Sequence, residues 1–227
     1  MTCPRQIAAL NRAHLVNLAD DVGSCEDLAC PSGNRRKEAM TSAKYPANQQ
    51  LTLTDAEDAT LVARVTDLIN EAYQGSEDGI WLESAARTST DEVAGLVRAN
   101  EIAVTRLSGE VVGCVRVQSL DAETSEFGML AVDGAFRGRG IGRELVAWAE
   151  RFSLDRGHRR MQLKLLWPRE QVHPFKAFLA TWYTGIGYTV TSKGSMDDEY
   201  PDLAQSLAVP CDFLIYHKDL AASTPVQ

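Results

Sequence analysis

Three glycines at alternate positions, Gly138, Gly140 and Gly142, lie among basic residues at the start of an amphipathic segment. The basic residues of this loop are Arg137, Arg139 and Arg143. A glycine loop that opens a helix presents free backbone N–H groups and the positive end of the helix dipole to an anion, and glycines allow close approach. The local positive charge also runs against the net charge of −8 of the whole chain. The segment therefore predicts a phosphate-binding site.

The glycine spacing excludes two common kinds of phosphate site. The sequence contains no Gly-x4-Gly-Lys-Ser/Thr, and its glycines follow Gly-x-Gly-x-Gly rather than Gly-x-Gly-x-x-Gly. The mononucleotide and dinucleotide sites that those two motifs build are therefore disfavoured.

Residues 137–142 resemble the Arg/Gln-x-x-Gly-x-Gly/Ala signature of the GNAT superfamily of acetyl-CoA-dependent N-acyltransferases. As in that family, the signature lies between a strand ending Leu-Ala-Val-Asp and a long helix. Residues 179–188 are similar to the later Phe-Tyr-x-x-x-Gly-Phe/Tyr element of the family, on a helix that enters a strand. The resemblance extends over residues 51–218.

The resemblance implies that acetyl-CoA is the acetyl donor, with its pyrophosphate on the backbone of the glycine loop and its pantetheine arm along the preceding strand. The implied cofactor-binding residues are Leu130, Ala131, Val132, Arg137, Gly138, Arg139, Gly140, Ile141, Gly142 and Arg143. Lys176 stands near the position where many relatives carry an asparagine that contacts the cofactor. This difference leaves the side-chain contact there open.

Acetyl transfer to an amine requires a base and an acid, because an alkylamine has a pKa of about 10.4 and a thiol one of about 8.5. By position, Glu126 matches the strand glutamate that acts as general base in some relatives, directly or through a water; the alternative is a solvent-facing strand residue. Tyr183 matches the usual proton donor to the thiolate, and the alternative is a core tyrosine packed with Trp182. The oxyanion donor would be a backbone N–H of residues 130–132.

The implied function is direct transfer of the acetyl group to a primary amine, which we expect to belong to a small molecule. In the family, two segments shape the acceptor pocket, and here they are residues 74–90 and 193–210. Both are acidic, which predicts a cationic amine; their acidic residues are Glu77, Asp78, Glu83, Asp197, Asp198, Glu199 and Asp202. The alternatives are a protein or peptide N-acetyltransferase and a non-catalytic acyl-CoA-binding module. An acyl-cysteine route through Cys114 or Cys211 is a minor option, since both lie in apolar strands.

Hydrophobic periodicity predicts the elements that position these residues. Helices are expected at about 55–73, 90–99, 140–156 and 173–184, and strands at about 51–53, 102–107, 111–120, 126–132, 161–165, 188–191 and 213–217. The sum is an α+β fold, with a mixed, mostly antiparallel central sheet of about six to seven strands and about four helices. We expect residues 51–218 to form the acetyltransferase domain, with an irregular tail at 1–50 and a short tail at 219–227.

Net charge and cysteine content limit the classes of partner and the cellular setting that we expect. Lys plus Arg is 23 and Asp plus Glu is 31, giving a net charge of −8 that repels nucleic acid. The apolar runs are shorter than the roughly 20 residues of a membrane span. Five cysteines without a secretory signal favour a reduced, cytoplasmic setting. We expect no metal, because Cys25, Cys30 and His14 lack a second ligand pair, and a homodimer is possible through an exposed sheet edge.

Overall fold

The computed structural model describes residues 47–82 and 86–221, the side chains at 202 and 203 excepted. Most of the predicted N-terminal tail lies outside the described residues, as do positions 222–227 and the cysteines considered as zinc ligands.

Seven strands form one sheet in the order β1-β2-β3-β4-β5-β7-β6. The strands are β1 (Ala47–Gln50), β2 (Ile102–Leu107), β3 (Glu110–Ser119), β4 (Thr124–Val132), β5 (Arg160–Pro168), β6 (Thr189–Ser195) and β7 (Cys211–Asp219). Every neighbouring pair is antiparallel except β4 and β5, which are parallel. The predicted mixed, mostly antiparallel sheet is confirmed.

Four longer helices flank the sheet: α1 (Ala59–Ser76), α2 (Thr90–Arg98), α3 (Ile141–Asp155) and α4 (Pro174–Gly185). Two four-residue helices, α5 (Met196–Glu199) and α6 (Pro201–Ala204), connect β6 to β7. Side-chain caps determine where two of the helices begin, because Asp58 accepts the N–H groups of Thr60 and Leu61, and Ser89 accepts that of Glu92.

The helices cover both faces of the sheet and produce two hydrophobic cores. One core packs α1 and α2 against side chains such as Val104, Cys114 and Met129. The other packs α3 and α4 against the opposite face, on side chains such as Phe127 and Leu163. Alternation along each strand sends successive residues to opposite cores, so both faces of the central strands are buried.

The start of the folded region differs from the prediction. The expected strand at 51–53 is wrong: β1 is Ala47–Gln50, which pairs with β2, and the chain then leaves the sheet through a 3-10 turn at Asp55–Glu57. The first helix accordingly begins at Ala59 and not near 55, because Asp58 supplies the capping carboxylate. Leu51, which suggested the strand, is buried just after it. The sheet thus begins within the segment predicted to be a tail.

The strands β6 and β7 are longer than predicted. β6 is Thr189–Ser195, and five of its seven residues are exposed, so an apolar pattern could not reveal it. Its length comes from pairing with β7, whose residues Cys211–Asp219 also pair with β5 on the other side.

Among residues 47–82 and 86–221, no helix has both the length and the apolar character needed to cross a membrane.

Candidate active site

The strands β4 and β5 separate in the middle of the sheet. Their parallel pairing joins only Thr124, Ser125 and Glu126 to Arg160, Met161 and Gln162. Both strands continue, β4 to Val132 and β5 to Pro168, without further pairing between them. A gap therefore opens beyond Glu126, and β4 offers the backbone of residues 127–132 along one side of it.

A β-bulge on β4 lies at this gap. Cys114 pairs with Ala131 and Arg116 with Gly128, so two residues of β4, Met129 and Leu130, oppose a single residue of β3. Met129 has φ 46°, a left-handed conformation that is uncommon outside glycine. Bulges re-aim backbone and side chains next to active sites, and strained residues of this kind concentrate there. The bulge lies beside the residues predicted to supply the oxyanion donor.

The predicted phosphate loop follows β4 after a 3-10 turn at Gly134–Phe136. Gly138 and Gly140 have φ of 71° and 75°, and Gly140 caps α3 without a side-chain hydrogen bond. The first N–H groups of a helix have no acceptor within the helix, so those of Ile141 and Gly142 are available to an anion. A Cβ built on Gly140 would meet no atom within 4 Å, which leaves room in front of the loop. The side chain of Arg137 contributes a buried Nε without a hydrogen-bond partner.

Gly113 on β3 brings the start of α3 close to the sheet. A Cβ there would lie 3.0 Å from Leu145 Cδ1 and 3.1 Å from Ile141 Cγ2. These contacts are closer than packed side chains normally allow, so glycine is needed for α3 to approach at this point. The sequence analysis missed this residue, since a single glycine within a strand pattern gives only a weak signal.

Glu126 lies at the point where the gap opens, and it is only 2% exposed. Its Oε1 accepts a hydrogen bond from Gln118 Nε2 at 2.7 Å, and its Oε2 accepts one from Gln162 Nε2. The alternative of a solvent-facing strand residue is therefore wrong. Burial alone does not make the carboxylate a base, but both of its oxygens are held in fixed positions.

Tyr183 is fully buried on α4, where its ring packs against Phe127 of β4 and Tyr216 of β7, with centroid distances of 6.1 and 5.8 Å. The ring consequently lies across β5. Its hydroxyl is buried without a hydrogen-bond partner among the described residues. Burial raises the pKa of Tyr183 well above its usual value, and Tyr73 and Tyr216 add to this increase. Tyr73 belongs to α1 on the opposite face of the sheet, so the Tyr183 hydroxyl lies close enough to that face for the two phenols to interact.

Comparison with protein families identifies the chain. A model of the acetyltransferase (GNAT) family matches residues 61–175, about half of the sequence. The chain belongs to the GNAT acetyltransferase family. It is accordingly an acetyl-CoA-dependent acetyltransferase, as the resemblance of the glycine loop predicts.

Solved structures share the fold of this GNAT acetyltransferase at low sequence identity. N-acetylglutamate synthase from Neisseria gonorrhoeae, in complex with coenzyme A and N-acetyl-glutamate, is 18% identical over 81% of the chain, with a TM-score of 0.52. The match spans 36% of that enzyme's length. The yncA protein of Salmonella typhimurium with acetyl-CoA is 16% identical, covering 81% of this chain and 99% of that one, with a TM-score of 0.56.

An aminoglycoside 6'-N-acetyltransferase in complex with coenzyme A is 15% identical to this GNAT acetyltransferase, covering 80% of this chain and 99% of that one, with a TM-score of 0.56. Among curated proteins, no significant match to the sequence is found.

A buried charge cluster of this GNAT acetyltransferase connects α1 to α4. Lys176, 0% exposed, donates from Nζ to Glu77 Oε1 at 2.7 Å. The other oxygen of Glu77 accepts from Trp81 Nε1 at 2.7 Å and lies 3.1 Å from Nη2 of Arg87. Burial lowers the pKa of both Lys176 and Arg87. We call these four residues the Glu77 cluster.

The cluster corrects the prediction that Glu77 contributes to an acidic acceptor surface. The carboxylate is 4% exposed, and its charge is offset by two cations. Spacing could not reveal this pairing, because Glu77 and Lys176 are 99 residues apart. The cluster also accounts for Lys176, whose ammonium group is directed inward to Glu77.

Much of the remaining predicted acidic surface of the GNAT acetyltransferase is also paired. Asp197 contacts Arg169 at 2.6 Å, and Glu199 contacts Lys164 at 2.8 Å. Glu83 lies outside the described residues, and so does the side chain at 202. The two acidic segments do meet: Trp81 forms a β-bridge with Leu207, and Ala208 N–H donates to Ile80 at 2.8 Å.

Both described cysteines of the GNAT acetyltransferase are buried free thiols, Cys114 on β3 and Cys211 at the start of β7. Burial raises the pKa of each thiol to about 12. A thiol with such a pKa is almost wholly protonated at neutral pH and is a poor nucleophile. The geometry therefore disfavours the acyl-cysteine route.

Proposed function

We propose that this GNAT acetyltransferase transfers the acetyl group of acetyl-CoA directly to the primary amine of a small molecule, with Glu126 as general base and Tyr183 as general acid. The observation that carries the proposal is the buried, unpartnered hydroxyl of Tyr183, whose ring packs between Phe127 of β4 and Tyr216 of β7. Leaving such a group unsatisfied costs about 1–3 kcal/mol, which a ligand in the gap would offset.

The residues present fit acetyl-CoA. The open space before Gly140, the N-terminus of α3 and the unpartnered Nε of Arg137 suit a pyrophosphate. The backbone of residues 130–132, which β5 does not pair, suits an extended amide-containing arm. Residues 130–132 and 137–143 therefore remain our proposed cofactor-binding set. Acetyl-CoA would supply the acetyl thioester, with the thiolate as leaving group.

Glu126, directly or through a water, accepts the proton that the amine must lose, while a C–N bond forms and the C–S bond breaks. A backbone N–H of residues 130–132 stabilises the negative charge that develops on the carbonyl oxygen. Tyr183 donates its proton to the departing sulfur and regains one from solvent. A phenol is protonated at neutral pH, which is the form that can donate.

A closed acceptor side supports a small-molecule substrate. The loop after α1 and the segment after α6 are joined by the Trp81–Leu207 bridge and by hydrogen bonds such as Leu82 N–H to Ser206 at 3.0 Å. A peptide substrate would instead need an open groove there. Because Glu77, Asp197 and Glu199 are paired within the chain, the proposal does not require the acceptor to carry additional positive charge.

Steady-state assays of coenzyme A release test this proposal. Purified protein with acetyl-CoA is offered polyamines, aminoglycosides, amino acids, neutral amines and lysine peptides, and the acetylated product is identified by mass spectrometry. With the best acceptor, Glu126→Gln and Tyr183→Phe should each lower kcat by about 10²- to 10⁴-fold, with little change in acetyl-CoA affinity.

Tyr188→Phe is the matched control for Tyr183→Phe. Tyr188 is also buried with a raised pKa, but its hydroxyl donates to Glu150 at 2.8 Å. Parent-like kcat in Tyr183→Phe would overturn the assignment of the acid, and activity on lysine peptides alone would favour the protein acetyltransferase alternative.

A further inference from the structure

The general base proposed above is held between two amides. Gln118 on β3 donates to Oε1 of Glu126 at 2.7 Å, and Gln162 on β5 donates to Oε2. Each amide comes from a strand adjacent to β4, so the carboxylate is fixed from both sides. We call this arrangement the Glu126 clamp.

The orientation of each amide follows from the neighbours on its other side. A carboxylate only accepts hydrogen bonds, so each glutamine must turn its NH2 group toward Glu126 and its oxygen away. The oxygen of Gln118 accepts from Arg116 Nη2 at 2.8 Å. The oxygen of Gln162 lies 2.8 Å from Nε2 of His217, which must therefore carry the proton.

Both outer residues are themselves anchored. Arg116 is 6% exposed and forms an ion pair with Glu101 at 2.6 Å. His217, on β7, has its Nδ1 3.1 Å from the hydroxyl of Thr191 on β6. A hydroxyl can donate to neutral Nδ1 or accept from its protonated form, and the carbonyl of Ile215, 3.3 Å from the same hydroxyl, accepts the Thr191 proton in the second case. In both states His217 Nε2 keeps its proton and donates it to the Gln162 oxygen.

We infer that Arg116 and His217 are positioning residues, which orient Gln118 and Gln162 so that Glu126 presents its oxygens in one fixed arrangement to the amine. The inference depends on the proposed role of Glu126 as base. Neither residue touches the reacting atoms. By donating to the amide oxygen of its glutamine, each residue disfavours the flipped amide, in which that oxygen would face the carboxylate and repel it.

Several charged groups act on this network. Burial lowers the pKa of His217, nearby Arg160 adds to that effect, and Glu126 opposes it. Lys164 also lies close enough for Glu126 to influence its pKa, although Lys164 is bound mainly to Glu199. His217 itself interacts electrostatically with Glu126. Two variants that both lack the imidazole, one with and one without an amide donor, are therefore compared, so that the difference between their pH profiles reports the clamp itself.

The test compares three histidine variants by the pH dependence of kcat/KM. His217→Phe removes the donor to Gln162, whereas His217→Gln supplies a replacement amide donor. His158→Gln is the control, since His158 is also shielded from solvent but bonds the hydroxyl of Ser119 at 2.9 Å and neither glutamine of the clamp.

In His217→Phe we expect kcat/KM to fall about tenfold, the change that loss of one orienting hydrogen bond produces. We also expect the acid limb of the profile to move to higher pH, because a released amide no longer favours the charged carboxylate. His217→Gln should recover most of the activity, and His158→Gln should match the parent. Affinity for acetyl-CoA, measured by calorimetry, should be the same in all.

A His217→Phe profile that superimposes on the parent profile, while Glu126→Gln is inactive, would overturn the positioning role alone. Full activity of Glu126→Gln would instead overturn the proposed base, and the inference with it. If His217→Phe does not fold, Arg116→Lys tests the other side of the clamp. Lysine keeps the positive charge but lacks the fork that binds Glu101 and Gln118 together, so the same shift of the acid limb is expected.

Discussion

Replacing Glu77 by glutamine should destabilise the fold strongly. The carboxylate contacts Lys176 at 2.7 Å, Trp81 at 2.7 Å and Arg87 at 3.1 Å, and it is itself 4% exposed. In Glu77→Gln the shape of the side chain is kept and the charge is lost. Lys176 and Arg87 would then be two buried cations without the carboxylate that neutralises them.

The expected loss in the free energy of unfolding is about 3–5 kcal/mol, the cost of breaking a buried pair by removing one partner. This is a large fraction of the roughly 5–15 kcal/mol that stabilises a typical domain. Glu57→Gln is the matched control. Glu57 contacts Arg98 at 3.5 Å, with side chains 73% and 49% exposed. An exposed pair of this kind contributes at most about 1 kcal/mol.

Urea unfolding followed by tryptophan fluorescence measures both variants. The midpoint of Glu77→Gln should fall while the slope of the transition stays constant, as expected for a change in stability alone. Adding Lys176→Met to Glu77→Gln should recover part of the loss, because it removes one of the two stranded charges. A loss no larger than that of Glu57→Gln would refute the view that the Glu77 cluster holds desolvated charges.

Three further predictions concern the loop, the thiols and high pH. Gly140→Asp should abolish saturable acetyl-CoA binding in calorimetry while circular dichroism shows a folded protein, because it adds a negative charge and a side chain at φ 75°; unchanged affinity would remove the pyrophosphate from this loop. Cys114 and Cys211, with thiol pKa values of about 12, should resist iodoacetamide at pH 7.5 in native protein and react in urea, as peptide mapping by mass spectrometry would show. Above pH 10 the Tm should fall, because the pKa of Tyr183 is higher in the folded protein than in the unfolded chain. Below pH 10 the phenol is protonated in both states and the free energy of unfolding keeps its full value. At higher pH the phenol ionises first in the unfolded chain, which lowers the free energy of unfolding by about 1.4 kcal/mol per pH unit. Tyr183→Phe should show a shallower decline than the parent, and identical slopes would contradict the assigned burial.

Local signals predicted the elements that bring the proposed site together. The amphipathic period of α3 and the glycines before it were sufficient to place a helix N-terminus directly after β4. Apolar runs bounded by turn residues predicted β2, β3 and β4 to within two residues at each end. These features depend on residues that are close in sequence, and tertiary packing favours the same helix or strand that each segment prefers locally.

The sequence could not reveal features that depend on long-range pairing. The gap between β4 and β5 results from the point at which parallel pairing stops, after Glu126. The bulge at Met129 arises from the register of β4 against β3, and Gly128, which precedes it, is only a weak signal within an apolar run. The first strand ends before Leu51, the residue on which its prediction depended. Leu51 lies just beyond the strand and is buried in the core that α1 and α2 form. An apolar residue in the sequence does not show whether it belongs to a strand or to a loop that packs on the core.

The Glu77 cluster joins the proposed acid to the acceptor side of the site. Lys176 lies two helical turns before Tyr183 on α4, and Glu77 follows α1 directly before the loop that bridges to Leu207. The ion pair between them therefore fixes the start of the Tyr183 helix against the proposed acceptor wall. If this connection matters for catalysis, Glu77→Gln should lower kcat at temperatures where it is still fully folded, and by more than Glu57→Gln does. Equal kcat in the two variants would limit the cluster to a role in stability, whereas a selective fall in kcat would show that the link between α1 and α4 also supports catalysis.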